Sequence, residues 1–148
     1  MATLVSVVTT LHVLFAGLWT GAVVFVAWKV VPLVAAGDVD VAPATALLSG
    51  LRLLTRVSAL VFLATGGHLA GTKYGGGRLL GTVDGYAVVA MLATWLLLTG
   101  LVEMGVGRTL SALDDDRLRT AGQENLTLFR VMGLLAVVLL LLGGYLAA

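Results

Sequence analysis

The sequence predicts an all-α integral membrane protein: a four-helix transmembrane up-down bundle with both termini outside. Three observations predict it. Of 148 residues, 59% are hydrophobic and only 11% charged, and the mean hydropathy is +1.07; a soluble domain carries roughly 25% charged residues. The apolar residues fall in long continuous runs, whereas a transmembrane barrel shows alternating segments of about ten residues. At about 20 apolar residues per span, the length accommodates four helices with short connections. Residues 1–148 read as a single transmembrane domain, without internal repeat or low-complexity tail.

Helix 1 is expected over about residues 4–34, because every residue from Met1 to Trp28 is uncharged. Lys29 can snorkel near its end, and Pro32 acts as a terminal breaker, with Gly37 and Asp38 marking the exit. No Lys or Arg precedes the apolar run and the run is too long for an h-region, so no cleaved signal peptide is expected. Helix 2 is expected over about 43–71, starting at Pro43 because proline suits a first helical turn. Arg52 and Arg56 lie four apart on one face of its first half. Residues 72–85, with Gly75, Gly76 and Gly77, form the longest irregular stretch. That loop lacks the Gly-Lys-Ser/Thr ending of a phosphate-binding loop. Helix 3 is expected over about 86–113, residues 114–125 as a polar connection, and helix 4 over about 126–147.

The basic residues orient the bundle. Lys29, Arg52, Arg56, Arg108, Arg117, Arg119 and Arg130 belong to the first and third connections and their flanking turns. Only Lys73 and Arg78 belong to the second. The positive-inside bias therefore puts connections 1 and 3 in the cytoplasm, in a multi-pass protein of the cytoplasmic membrane. The net charge of +1 gives no reason to expect nucleic acid as a partner. The absence of cysteine removes disulfides, thiolate metal sites and thiol redox chemistry. No Ser-His-Asp arrangement, paired-carboxylate site or metal-hydrolase spacing is present.

An ionisable side chain inside a membrane span is a functional hypothesis with a partner to be named. His12 lies about eight residues into helix 1, roughly 12 Å along the axis. His68 lies three residues before the expected end of helix 2. Up-down topology brings these, the only two histidines, into the same outer half, with Met91 and Trp95 of helix 3 at comparable depth. Two histidines on neighbouring membrane helices suit a bis-imidazole haem. A copper ion is the alternative, with His12, His68 and Met91 as a three-ligand set. Without a ligand each ring needs a hydrogen-bond partner such as Thr9 or Thr65. The small residues flanking both rings, Gly17 and Gly21 around Trp19, and Gly67 and Gly71 around His68, mark close helix packing in lipid. The other reading is room for a flat macrocycle.

In the inner half, Glu103 interrupts an apolar run and needs Arg56 or Arg52 as its cation. That cluster reads as a structural ion pair, an anion or propionate site, or one step of a proton path. Trp28, Trp95 and Tyr145 need no role beyond membrane belts.

The stretch LHVLFAGLWTGAVVF, with His12, Trp19 and Gly21, resembles the first-helix signature of the CopD (copper resistance protein D) family of membrane proteins. It resembles, more weakly, the first helix of HemJ-type protoporphyrinogen oxidases. The similarity runs on through RVSALVFLATGGHLAGT and the third helix. A CopD-like membership implies copper uptake or handling, in a reduced version of the longer members. A HemJ-like membership implies haem b ligated by the first-helix histidine, His12, and redox chemistry on a porphyrinogen. That family also uses a lysine in a later helix, whereas Lys73 here lies just past helix 2. The resulting expectation is a haem-b-binding membrane redox or electron-transfer protein, an oxidoreductase component, with His12, His68, Trp19 and Met91 around the cofactor. The alternatives are a CopD-like copper transport or resistance protein and a small structural subunit. The bilayer, a homo-oligomer or a larger membrane complex are the partners in view.

Overall fold

Long apolar helices must satisfy their backbone internally in lipid, and four such helices account for nearly every residue in the computed structural model. It describes residues 2–75, 77–114 and 117–147. Helix 1 comprises Ala2–Phe25, a π-helical turn Val26–Val30 and Val31–Ala36. Helix 2 is Val41–Tyr74, helix 3 Val83–Asp114 and helix 4 Leu118–Ala147, with a 3₁₀ turn at Arg78–Leu80. All four are long and apolar enough to cross a membrane, which makes this a multi-pass helical bundle. Each helix packs against the two beside it, in the cyclic order 1-2-3-4. Both termini and the second connection share one end, the terminal end; the arginine-rich connections share the other, the basic end.

Every helix is longer than its apolar run suggested, each for a local reason. Pro32 does not break helix 1. It lacks an N–H and would clash with the carbonyl four residues back. Here the preceding turn is widened, with the Val31 N–H reaching the Val26 carbonyl, and the helix passes through the proline to Ala36. The stop is Gly37, at φ 82°. Its N–H bonds the Val34 carbonyl at 3.1 Å and the Asp38 N–H bonds Leu33 at 2.9 Å, a Schellman closure. Helix 2 begins at Val41 with Asp40 as N-cap residue; Pro43 lies within that first turn, where a missing N–H costs nothing. Helix 3 starts at Val83 because the Thr82 hydroxyl accepts the Gly85 N–H at 3.0 Å.

The largest departure is in the polar stretch before helix 4. Leu118–Asn125 is helical, and Asp115 and Asp116 lie outside the described residues. Ala121, Gly122 and Asn125 are buried, an i, i+1, i+4 face packed on the end of helix 1. The Gln123 side-chain amide caps that end by donating to the Ala35 carbonyl at 3.3 Å. A Cβ added at Gly122 would clash with the backbone of Ala35 and Val34, so the two backbones touch there. Farther along, a Cβ at Gly133 would meet Ala27 at 3.2 Å, and one at Gly105 would meet Met132 at 3.0 Å.

These crossings enclose a continuous core at the basic end. Ala27, Val31, Val34, Leu48, Val102, Val106 and Met132 have no exposed surface there. Trp19, Phe62 and Trp95 close that core toward the terminal end.

Candidate functional site

Helices 1 and 2 are joined through a pair of threonines. The Trp19 indole N–H donates to Thr55 Oγ1 at 2.9 Å, and Thr55 donates its own proton to the Leu51 carbonyl at 2.8 Å. Three turns further out the arrangement repeats with the histidine. His12 Nδ1 lies 2.7 Å from Thr65 Oγ1, and Thr65 donates to the Val61 carbonyl at 2.6 Å. A hydroxyl has a single proton, so while Thr65 donates to Val61 it accepts from His12, which is the tautomer with the proton on Nδ1 and the lone pair on Nε2.

Two further contacts fix the ring. Phe62 meets it edge-on with centroids 5.1 Å apart, and a Cβ at Gly66 would lie 3.3 Å from His12 Cε1. Among the described residues Nε2 makes no hydrogen bond, and the residue is partly exposed. Donating the other ring N–H is how a protein orients a ligating imidazole and fixes its tautomer.

His68 sits three residues beyond Thr65, about 4.5 Å further toward the terminal end. Its Nε2 is buried without a hydrogen-bond partner. Among the described residues the two imidazoles share no hydrogen bond and no ring contact. Helices 1 and 2 touch at His12, so a plane shared by both rings would require them to part there. Trp19 is 1% exposed and its one donor is bound to Thr55, which makes it part of the core between the helices. Met91 is partly buried against that core. The helix 2–helix 3 register, set by Phe62–Trp95 and Arg52–Glu103, places Met91 level with Gly66. Among the described residues no three His, Cys, Asp or Glu side chains converge on one point.

The glycines flanking the histidines do not pack helices together. An added Cβ at Gly17, Gly21, Gly67 or Gly71 would meet nothing within 4 Å. Close packing is made by Gly105, Gly122 and Gly133 toward the basic end, and at the terminal end by Gly66 against the His12 ring. The four open glycines lie on surface of helices 1 and 2 that no other helix covers.

At the other end of the seam, Glu103 is held by both arginines. Arg56 donates from Nε to Oε1 at 2.9 Å and from a terminal nitrogen to Oε2 at 3.0 Å, and Arg52 Nε donates to Oε2 at 2.9 Å. The cluster carries one excess positive charge and stays partly exposed, Arg56 at 60% of its side chain. At the rim of the terminal end the Tyr145 hydroxyl donates to Asp84 at 3.2 Å, tying helix 4 to the start of helix 3.

Phe62 and Thr65 do as much to define the site as the histidines do. Their signal in the sequence is the spacing Thr55, Ser58, Phe62, Thr65, a buried stripe on one face of helix 2. Comparison of the chain with family models, curated sequences and solved structures finds no match.

Proposed function

We propose that this is a haem-b-binding redox or electron-transfer protein of the cytoplasmic membrane, in which His12 would hold the haem through its Nε2. The observation that supports it is the His12–Thr65–Val61 chain of hydrogen bonds, which orients the imidazole through Nδ1 and does not engage its Nε2. Gly17, Gly21, Gly67 and Gly71 leave uncovered surface on helices 1 and 2. His68, with its unpaired buried nitrogen, is the second ligand if helices 1 and 2 part at Gly66. Haem b bound there supplies one-electron chemistry. The chain's own contribution is to hold the ring, exclude water with Phe62 and offer its lone pair.

The test is the absorption spectrum of purified protein loaded with haem b. A Soret band that disappears in His12→Ala supports the reading. Thr65→Val, which removes only the orienting acceptor, is expected to weaken haem affinity about 10–100-fold. Absence of a Soret band with copper retained on metal analysis overturns haem in favour of copper on His12, His68 and Met91. Neither cofactor, with stable co-purification of other subunits, favours a structural subunit.

A further inference from the structure

In the low-dielectric interior of a membrane bundle a serine or threonine hydroxyl ordinarily turns back to the carbonyl four residues earlier. Thr9, Thr20, Thr55, Thr65, Thr94 and Thr109 all do so. Ser58 and Thr99 do not. Their hydroxyls are buried with no protein partner, and so is the indole N–H of Trp95. Ser58 is 0% and Trp95 9% exposed.

The helix register brings these three groups within about one turn of one another. Phe62 of helix 2 contacts Trp95 of helix 3, with centroids 6.3 Å apart. Four residues back on helix 2 is Ser58, and four residues on along antiparallel helix 3 is Thr99. One further turn, about 6 Å, brings both helices to the Glu103–Arg52–Arg56 cluster. The register that sets the contacts above and below therefore places Ser58 opposite Thr99, with the Trp95 indole beside them. Two unpaired hydroxyls and an indole donor gathered by that register, each costly to leave unsatisfied, describe a polar site.

The groups are neutral, carry three donors and two acceptors, and are capped by apolar Phe62. That chemistry matches water, which accepts from the indole and exchanges bonds with both hydroxyls. We propose that Ser58, Trp95 and Thr99 form a buried water site that hydrates the helix 2–helix 3 seam from the Glu103 cluster up to Phe62. The site is independent of whatever His12 binds.

Nuclear magnetic resonance of protein with ¹⁵N-labelled tryptophan, without added cofactor, tests it directly. The three tryptophans give separate indole signals, and Trp95→Phe identifies the relevant one. The expected result is magnetisation transfer from water to the Trp95 indole N–H, and none to that of Trp19, which is bound to Thr55. Its absence at Trp95 overturns the proposal. Thermal unfolding of Thr99→Val supplies a sign. With water bound, losing one of its partners lowers Tm by several degrees, whereas at a dry site removing an unpaired hydroxyl raises it. A rise in Tm overturns the proposal, and if Thr99→Val does not fold, Ser58→Ala gives the same sign test.

Discussion

The two ends of this bundle are built on different principles. At the basic end, helices 1 and 4 approach until their backbones touch at Gly122 and Ala35, and Val31, Val34, Val102, Val106 and Met132 lose all their surface. At the terminal end no residue between Thr3 and Leu18 is buried, and Gly17, Gly21, Gly67 and Gly71 face open space. The first end is a closed core held by packing. The second is held by discrete polar bonds, His12 to Thr65 and Tyr145 to Asp84. In lipid, where burying apolar surface gives little drive for association, close packing supplies stability. A region left loosely packed is where a ligand or partner can be accommodated at small cost.

Glycine-to-alanine substitutions should separate the ends most sharply. Gly122→Ala puts a methyl into the Ala35 backbone, which no side-chain motion can relieve. It is expected to cost about 3 kcal/mol or more, visible as a collapse of Tm and of the monodisperse elution peak. A normal Tm for this variant would break the distinction between the ends.

Phe62→Ala comes next. Phe62 touches His12, Trp19 and Trp95 with centroids at 5.1, 5.7 and 6.3 Å, so it joins the two regions. The expected loss is toward the low end of about 3–5 kcal/mol, because the transfer contribution is weak in lipid. Tryptophan emission should shift to the red as the Trp19 and Trp95 environments open.

The smallest effect is expected from Gly67→Ala. Nothing lies within 4 Å of the new methyl, so stability should stay level or rise by up to about 1 kcal/mol from helix propensity. Haem uptake, read from the Soret band, should fall if this uncovered surface receives the macrocycle. Unchanged haem uptake would remove that surface from the site.

The four spans and their connectivity were legible from hydropathy alone, since a 20-residue apolar run in lipid has no alternative to a helix. The ends were not. Leu118–Asn125 reads as a loop by polarity, yet Ala121, Gly122 and Asn125 point at helix 1 while the charged residues point away. Helix turns that project past the hydrocarbon obey ordinary amphipathic rules. The need of Glu103 for a cation was legible, and both arginines supply it. His12 was legible as the residue in need of a partner, and Thr65 as one of its candidates. Which glycines pack and which lie open was not, because a Gly-xxx-Gly spacing records that a surface is flat and says nothing about what lies against it.

The widened turn at Val26–Val30 has a consequence for comparing this chain with any relative. In alignment it is equivalent to an insertion. One residue is worth about 100° of phase in a helix of 3.6 residues per turn, so a homologue one residue shorter between Phe25 and Pro32 could keep both the His12 face and the Val31–Val34 face on a plain α-helix. An alignment without a gap there would pair lipid-facing positions with core positions on one side of the turn. A helical wheel drawn straight through residues 2–36 makes the same error.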